Sequence, residues 1–272
     1  MKKFAVIGHP VAHSLSPRMH EANFKALGFA ASYEKFDVPP ENLAEFVRTK
    51  AKEGYLGLNV TIPHKVEVIN LLNKLDESVV RYGACNTVKF EQDGTITGYN
   101  TDVIGFVASL AAHGISLPGK RVVILGCGGA GAALATACVY EGAAEVKVAA
   151  QHVANAERLV AKLHEIGREA SLSAILTSDS AAAREADLIV NATPVGLKPD
   201  DKSVLPREAF RPGQFVLDII PTGQTPPTAA LAIEAGAAAA DGLEFLVAQG
   251  AESFRIWTGL EADQSAMLAA IR

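Results

Sequence analysis

The 272-residue chain carries 25 Lys and Arg against 30 Asp and Glu, a formal charge of −5, with 49% hydrophobic and 20% charged residues. That balance excludes intrinsic disorder and argues against a dedicated nucleic-acid binder, which shows a basic excess on one face. At about 150 residues per domain, the length allows one large domain or two small ones, either able to bury a sizeable core.

In chain order, residues 4–9 read as a buried strand and 16–27 as a helix, with Ser16 as N-cap and Pro17 at the first helical position. Residues 32–38 read as a strand, 41–52 as a helix after Pro39-Pro40, 55–61 as a strand and 63–72 as a helix begun by Pro63. Residues 87–90 and 95–99 flank Gln92-Asp93-Gly94, a hairpin signal because Asp-Gly tolerates positive φ. A helix over 102–112 follows. The breakers from His113-Gly114 to Pro118-Gly119 mark a joint.

Beyond the joint come a strand at 121–125, a helix at 129–140, a strand at 145–149, a helix at 155–166, and later strands at 188–191, 215–219 and 237–240. The C-terminal residues read as helical and could pack on either half. This alternation predicts an α/β protein with parallel sheets sandwiched by helices.

Cys85, Cys127 and Cys138 lack C-x-x-C spacing and leave an odd count, which fits a reducing cytoplasm better than a disulfide framework or a zinc site. His9 and His13 lack a third ligand, so no metal is expected. Lys2-Lys3 precede the apolar FAVIG, but His9-Pro10 stop it short of the ~7–15 residues of a signal-peptide core. No run approaches the ~18 apolar residues of a membrane span, so neither membrane nor nucleic acid is expected as a partner.

Residues 126–131 read GCGGAG and satisfy G-x-G-x-x-G through Gly126, Gly128 and Gly131. The strand RVVIL runs straight in and the helix AALATACVY straight out. In that setting the glycines permit a tight turn and close approach to a pyrophosphate at the helix N-terminus. A glycine-rich turn that binds nothing is the alternative. At the end of the next strand, an acid would meet the ribose 2′-OH of NAD and an arginine the 2′-phosphate of NADP. Ala149-Ala150-Gln151-His152 has neither; His152 and Arg158 are the nearest basic groups, and solvated surface is the competing reading for both.

Polar residues crowd three expected strand ends in the first half, at HPVAHSLSP, NVTIPHK, and ACNTV with GYNTD. Loops at strand carboxyl ends share one crevice in an open α/β sheet, so Ser14, Ser16, Asn59, Thr61, Lys65, Asn86, Asn100 and Asp102 could converge on a polyhydroxylated ligand. Lys65 in the first turn of its helix would oppose the macrodipole, an arrangement a purely structural role would avoid. Asp102 and Ser16 each also read as helix caps. A Lys65–Asp102 pair would keep an ammonium charged and oriented to protonate a developing alkoxide, with hydride arriving from a nicotinamide.

The strings GHPVAHSLSPRMH, NVTIPHK, GACNTV, GYNTD, GCGGAG, NATPVGL and GLEFLVAQGAESFRIWTG occur in fixed order across essentially the whole chain, which resembles the shikimate dehydrogenase family. The resemblance implies NADP-linked reduction of 3-dehydroshikimate to shikimate, in aromatic amino-acid biosynthesis. It places Lys65 and Asp102 on the catalytic pair, and Ser14, Ser16, Thr61, Asn86 and Gln249 on substrate-binding positions, with Asn59 and Asn100 beside them. It places Gly126, Cys127, Gly128, Gly129 and Ala130 on the phosphate loop, Gln151 and His152 at the 2′-phosphate position, and Glu77, Thr193, Ile219 and Gly242 near the cofactor. It implies residues 1–102 as a substrate-binding domain, completed by about 243–272 as the C-terminal helices return, and 103–242 as a Rossmann-type, doubly wound dinucleotide-binding domain. The family includes monomers and homodimers.

Three departures fall on the cofactor side or the domain junction. Ala150-Gln151-His152 stands where the family has Asn-Arg-Thr, which leaves NAD(H) use open beside NADP(H). The stretch from Asp218 to Gly223 lacks the family's tyrosine and runs one residue shorter, and Leu197 and Phe245 replace methionines. A quinate/shikimate dehydrogenase using NAD, and a non-catalytic ligand-binding regulator, are the alternatives.

Overall fold

The computed structural model describes every residue except Pro199 and Thr222, and the chain divides into two compact units: Met1–Phe106 with Leu246–Arg272, and Val107–Phe245. The first stretch contains β1 (Lys2–Gly8), α1 (Ser16–Ala26), β2 (Ala31–Asp37), α2 (Leu43–Lys52), β3 (Tyr55–Val60), β4 (Lys74–Leu75), α3 (Glu77–Tyr82), β5 (Thr87–Phe90), β6 (Ile96–Tyr99) and α4 (Asp102–Ala112). Next come β7 (Arg121–Leu125), α5 (Gly129–Tyr140), β8 (Glu145–Ala150), α6 (Val153–His164), β9 (Ser171–Leu176), α7 (Ser180–Glu185), β10 (Leu188–Asn191), β11 (Phe215–Asp218), α8 (Pro227–Glu234) and β12 (Ala238–Ala240). Helices α9 (Leu243–Thr258) and α10 (Gln264–Ile271) close the chain.

In the first unit the strands lie in the order β2-β1-β3-β5-β6-β4. Strand–helix alternation predicts a parallel sheet, but this one is mixed: β1 runs parallel to β2 and β3, whereas β5 is antiparallel to both β3 and β6. One reversal is the hairpin at Asp93-Gly94, where Gly94 sits at φ +85° and the Asp93 carboxylate accepts from the Thr95 amide at 2.8 Å. These directions put the carboxyl ends of β1, β3 and β6 and the amino end of β5 on one edge of the sheet.

Alternation along β1 supplies both faces of this unit's core. Phe4 and Val6 pack with Phe24, Tyr33, Phe254 and Trp257, while Ala5 and Ile7 pack with Leu43, Val47, Leu58 and Val68. Helix α9 is keyed to the sheet at Gly57, where any Cβ would fall 2.1 Å from the Trp257 indole nitrogen. That indole N–H donates to the Val88 carbonyl at 2.9 Å.

The second unit holds a wholly parallel sheet ordered β9-β8-β7-β10-β11-β12, the doubly wound pattern. Its switch point lies between β7 and β10, so the loops after those two strands flank the crevice where ligands of such sheets bind.

Two local expectations need correction. Residues 63–72 are not an α-helix: turns at 62–66 lead into a 3₁₀ segment at Glu67–Leu71. The Lys65 carbonyl is taken by the Cys85 amide at 2.7 Å, and the Ile69 amide turns instead to the Val66 carbonyl, three residues back. The helix-dipole argument for Lys65 falls with that helix. At α1, Leu15 occupies the N-cap position with no side-chain cap, and Ser16 is already helical.

The sequence pattern does not single out β4, α3, β9, α7 or α8. Three of these are short helices with legible starts: Asp76 and Asp179 cap α3 and α7 by accepting from the Ser78 and Ala182 amides, and α8 opens at Pro226-Pro227.

Candidate active site

Within the first unit the polar loops meet at a salt bridge. Lys65 Nζ donates to Asp102 Oδ2 at 2.7 Å, and the side chains are 13% and 4% exposed. Asn86 Nδ2 donates to Asp102 Oδ1 at 2.8 Å, and to Gln249 Oε1 at 3.2 Å. Strand β6 ends immediately before this cluster and β5 begins immediately after Asn86, which is why the mixed sheet brings them together.

Asp102 heads α4 but does not cap it. Asn100 Oδ1 accepts from the Asp102 and Val103 amides at 3.1 and 3.4 Å, so both Asp102 carboxylate oxygens are left to side-chain partners. Asn100 itself is buried, and its Nδ2 donates to the Ala84 carbonyl at 2.8 Å. Asn59 is likewise engaged within the protein: Nδ2 faces Ser253 Oγ, Thr87 Oγ1 and the Asn86 carbonyl, and Oδ1 accepts from the Tyr33 hydroxyl at 2.6 Å.

The remaining positions lie between β1 and α1, after β3 and on α3. Ser14 and Ser16 lie in the passage from β1 into α1, with Ser14 Oγ accepting from the Ser16 amide at 3.3 Å. Thr61 follows β3 and is half-buried, its amide donating to the Ile7 carbonyl at 2.9 Å. Glu77 is exposed in the first turn of α3 and paired with Arg81. Sequence reasoning misses Tyr33, Thr87, Thr101 and Ser253; the two threonines sit inside the polar strings, next to residues that their type had marked.

The second unit builds a loop around glycine. After β7, Gly126 takes φ +100°, and a Cβ there would sit 3.0 Å from the Ala192 carbonyl oxygen. A Cβ on Gly131 would strike the Gly126 carbonyl oxygen at 2.1 Å, so these glycines let the loop close on itself. Gly128, by contrast, is exposed, and a Cβ there meets nothing within 4 Å. Cys127, Gly129 and Ala130 are half-buried beside it, at the N-terminus of α5 where first-turn amides have no intrahelical partner. An open position in front of such amides suits a pyrophosphate.

Across the switch point, the Thr193 amide and hydroxyl donate to Asn191 Oδ1 at 3.1 and 2.7 Å. Asn191 Nδ2 donates in turn to Asp218 Oδ2 at 2.9 Å. Burial pushes the Asp218 carboxyl up to about 6, against the opposing hydrogen bond from Asn191. Gly242 lies against Ile219, where a Cβ would come 2.3 Å from the Ile219 carbonyl oxygen. Gln151 and His152 are exposed in the bend after β8, and no acid stands there to repel a ribose phosphate. Leu197 is exposed and Phe245 buried; of the shortened segment before Gly223, Thr222 lies outside the described residues.

Among the described residues no group of three or more His, Cys, Asp or Glu could hold a metal ion. Among them, too, no helix is long and apolar enough to cross a membrane.

Residues 6–88 match the shikimate dehydrogenase substrate binding domain, and residues 242–272 the shikimate 5′-dehydrogenase C-terminal domain. Residues 121–221 match a coenzyme F420-dependent NADP oxidoreductase model. A shikimate dehydrogenase (NADP(+)) of Rubrobacter xylanophilus is 40% identical over 267 residues, covering 98% of this chain and 94% of its own. The chain belongs to the shikimate dehydrogenase family.

The family likeness extends to a further relative and to a solved structure. The shikimate dehydrogenase (NADP(+)) of Methanopyrus kandleri is 42% identical over 274 residues, covering 98% of this chain and 93% of its own. The crystal structure of shikimate 5-dehydrogenase from Thermus thermophilus, in complex with NADP(H) and shikimate, superposes with a TM-score of 0.89 at 38% identity, covering 100% of this chain and 99% of that one.

Proposed function

We propose that this protein is a shikimate dehydrogenase that reduces 3-dehydroshikimate reversibly to shikimate with NADP(H), in the cytoplasmic synthesis of aromatic amino acids. The observation that carries the reading is the Lys65–Asp102 salt bridge at 2.7 Å, held from one side by Asn86 and set among hydroxyl and amide side chains. The full-length likeness to curated NADP-linked relatives supports the substrate and the cofactor.

The Lys65 ammonium gives a proton to the carbonyl oxygen as charge develops there, and takes it back in the reverse direction. Asp102 keeps that ammonium oriented, and Asn86 holds the carboxylate. Ser14, Ser16, Thr61 and Gln249 bind the substrate hydroxyls and carboxylate. Bound NADPH supplies the hydride equivalent. Gly126, Cys127, Gly128, Gly129 and Ala130 would hold its pyrophosphate, Gln151 and His152 its 2′-phosphate, and Thr193, Ile219 and Gly242 the nicotinamide half.

Turnover measured with shikimate and quinate, each with NADP and NAD, tests the reading. Shikimate with NADP is expected to give the highest kcat/KM. A preference for quinate with NAD would make the protein a quinate dehydrogenase. Shikimate binding by calorimetry without any cofactor reduction would make it a ligand-binding regulator.

A further inference from the structure

The Lys65–Asp102 pair rests on a buried polar lattice that reaches well past the residues placed on substrate. Asn86 Oδ1 accepts from the Thr101 amide at 2.7 Å. An amide N–H only donates, so the Asn86 atom facing it must be oxygen, and its nitrogen is thereby aimed at Asp102. The Thr87 and Thr101 hydroxyls also reach Asn86 Oδ1, each at 3.2 Å. Both meet Ser253 Oγ, at 2.7 and 3.2 Å.

Ser253 Oγ also accepts from Asn59 Nδ2 at 2.9 Å and lies 3.0 Å from the Gln249 carbonyl; giving its proton to Thr87 leaves the Thr87 proton for Asn86 Oδ1. Asn59 in turn is held at Oδ1 by Tyr33, whose ring stacks on His20 with centroids 4.3 Å apart and planes 7° apart. Burial drives the His20 imidazole down to about 3, so the plate beneath Tyr33 is uncharged.

Helix α9 fixes one end of this lattice. Gln249 and Ser253 lie one turn apart on it, and a Cβ on Gly250 between them would fall 2.3 Å from Met19 Cε, so the helix seats flush on α1.

We propose that Tyr33 and Ser253 are positioning residues: acting through Asn59 and Thr87, they fix the Asn86 carboxamide, and with it the Asp102 carboxylate that orients Lys65. The inference rests on the reading of Lys65 and Asp102 as the catalytic pair. Neither residue touches the pair: Ser253 reaches it through Thr87 and Asn86, and Tyr33 through Asn59, which donates both to the Asn86 main-chain carbonyl and to the Thr87 hydroxyl.

Tyr33→Phe removes one hydroxyl and keeps the stacked ring; Ser253→Ala removes the other node. Each variant of the intact chain is expected to lose about tenfold in kcat, below the ~10²-fold that a 1 Å misplacement can cost. The KM for shikimate should stay within about twofold in Ser253→Ala, since uniform binding is retained. The decisive measurement repeats Tyr33→Phe in a Lys65→Ala background, where no further loss of kcat is expected because the step being positioned is gone. An unchanged kcat in both single variants overturns the inference, as does an equal fold-loss with and without Lys65, whatever the melting temperatures do. Turnover surviving in Lys65→Ala alone would instead remove the catalytic reading beneath it, a separate and recognisable result.

Discussion

The Cys85 amide donates to the Lys65 carbonyl at 2.7 Å, tying the turn after β3 to the residue beside Asn86. Lys65 is therefore held by its main chain from one side and by Asp102 at its ammonium from the other. With both ends fixed, Lys65→Ala should cut kcat by ~10²–10⁴, the usual range for a lost acid–base group, with little change in KM. Steady-state kinetics with shikimate and NADP check it, and near-wild-type turnover would exclude the assigned role.

Two glycines of the loop after β7 should answer mutation in opposite ways. Gly131→Ala drives a methyl into the Gly126 carbonyl and should cost about 1–3 kcal/mol of stability, seen as a lower urea midpoint. Gly128 takes φ −72° and faces open space, so Gly128→Ala should melt with the wild type. Its methyl would occupy the room for a phosphate, and NADP(H) affinity should fall by roughly tenfold, about 1.4 kcal/mol, in a calorimetric titration.

Asp218 predicts a pH signature. Its folded carboxyl titrates near 6, above the ordinary 3.8, because burial disfavours the charge. The native state thus holds a proton that the unfolded chain releases earlier. The group's stabilising contribution is complete below pH ~4 and is lost as pH rises towards 6, by a total on the order of 3 kcal/mol. In urea denaturation, wild-type stability minus that of Asp218→Asn should decline across that window. A flat difference would mean that Asp218 titrates normally.

The bend after β8 offers a gain-of-function test. Gln151 is exposed, and the guanidinium of Arg158, the nearest arginine along the chain, is engaged by Asn155. Gln151→Arg would bring a charge-assisted partner to the 2′-phosphate, worth ~1.5–3 kcal/mol. The ratio of kcat/KM with NADP to that with NAD should rise at least about tenfold. An unmoved ratio would place the 2′-phosphate elsewhere.

What the sequence disclosed and what it hid have physical reasons. The glycine loop was legible because strand, tight turn and helix are local signals, and the hairpin because Asp93-Gly94 carries its own turn chemistry. The expected helix at 63–72 failed because a partner twenty residues away, Cys85, takes the Lys65 carbonyl; no local propensity records such a bond. Asn100 shows the same limit: its type suggests a binding amide, yet its oxygen caps α4. Tyr33 and Ser253 were invisible for a further reason. They lie 26 and 194 residues from Asn59, and only the sheet order and the seating of α9 bring the three together.

Gly57 and Trp257 fit as one unit, since the indole fills the space a side chain at 57 would need. The two positions should therefore covary among relatives: a bulkier residue at 57 demands a smaller one at 257, and with it the loss of the indole bond to the Val88 carbonyl. Because α9 also carries Gln249 and Ser253, drift at a strand position without polar chemistry would be transmitted to the composition of the active centre. An aligned set of family sequences would expose that evolutionary coupling.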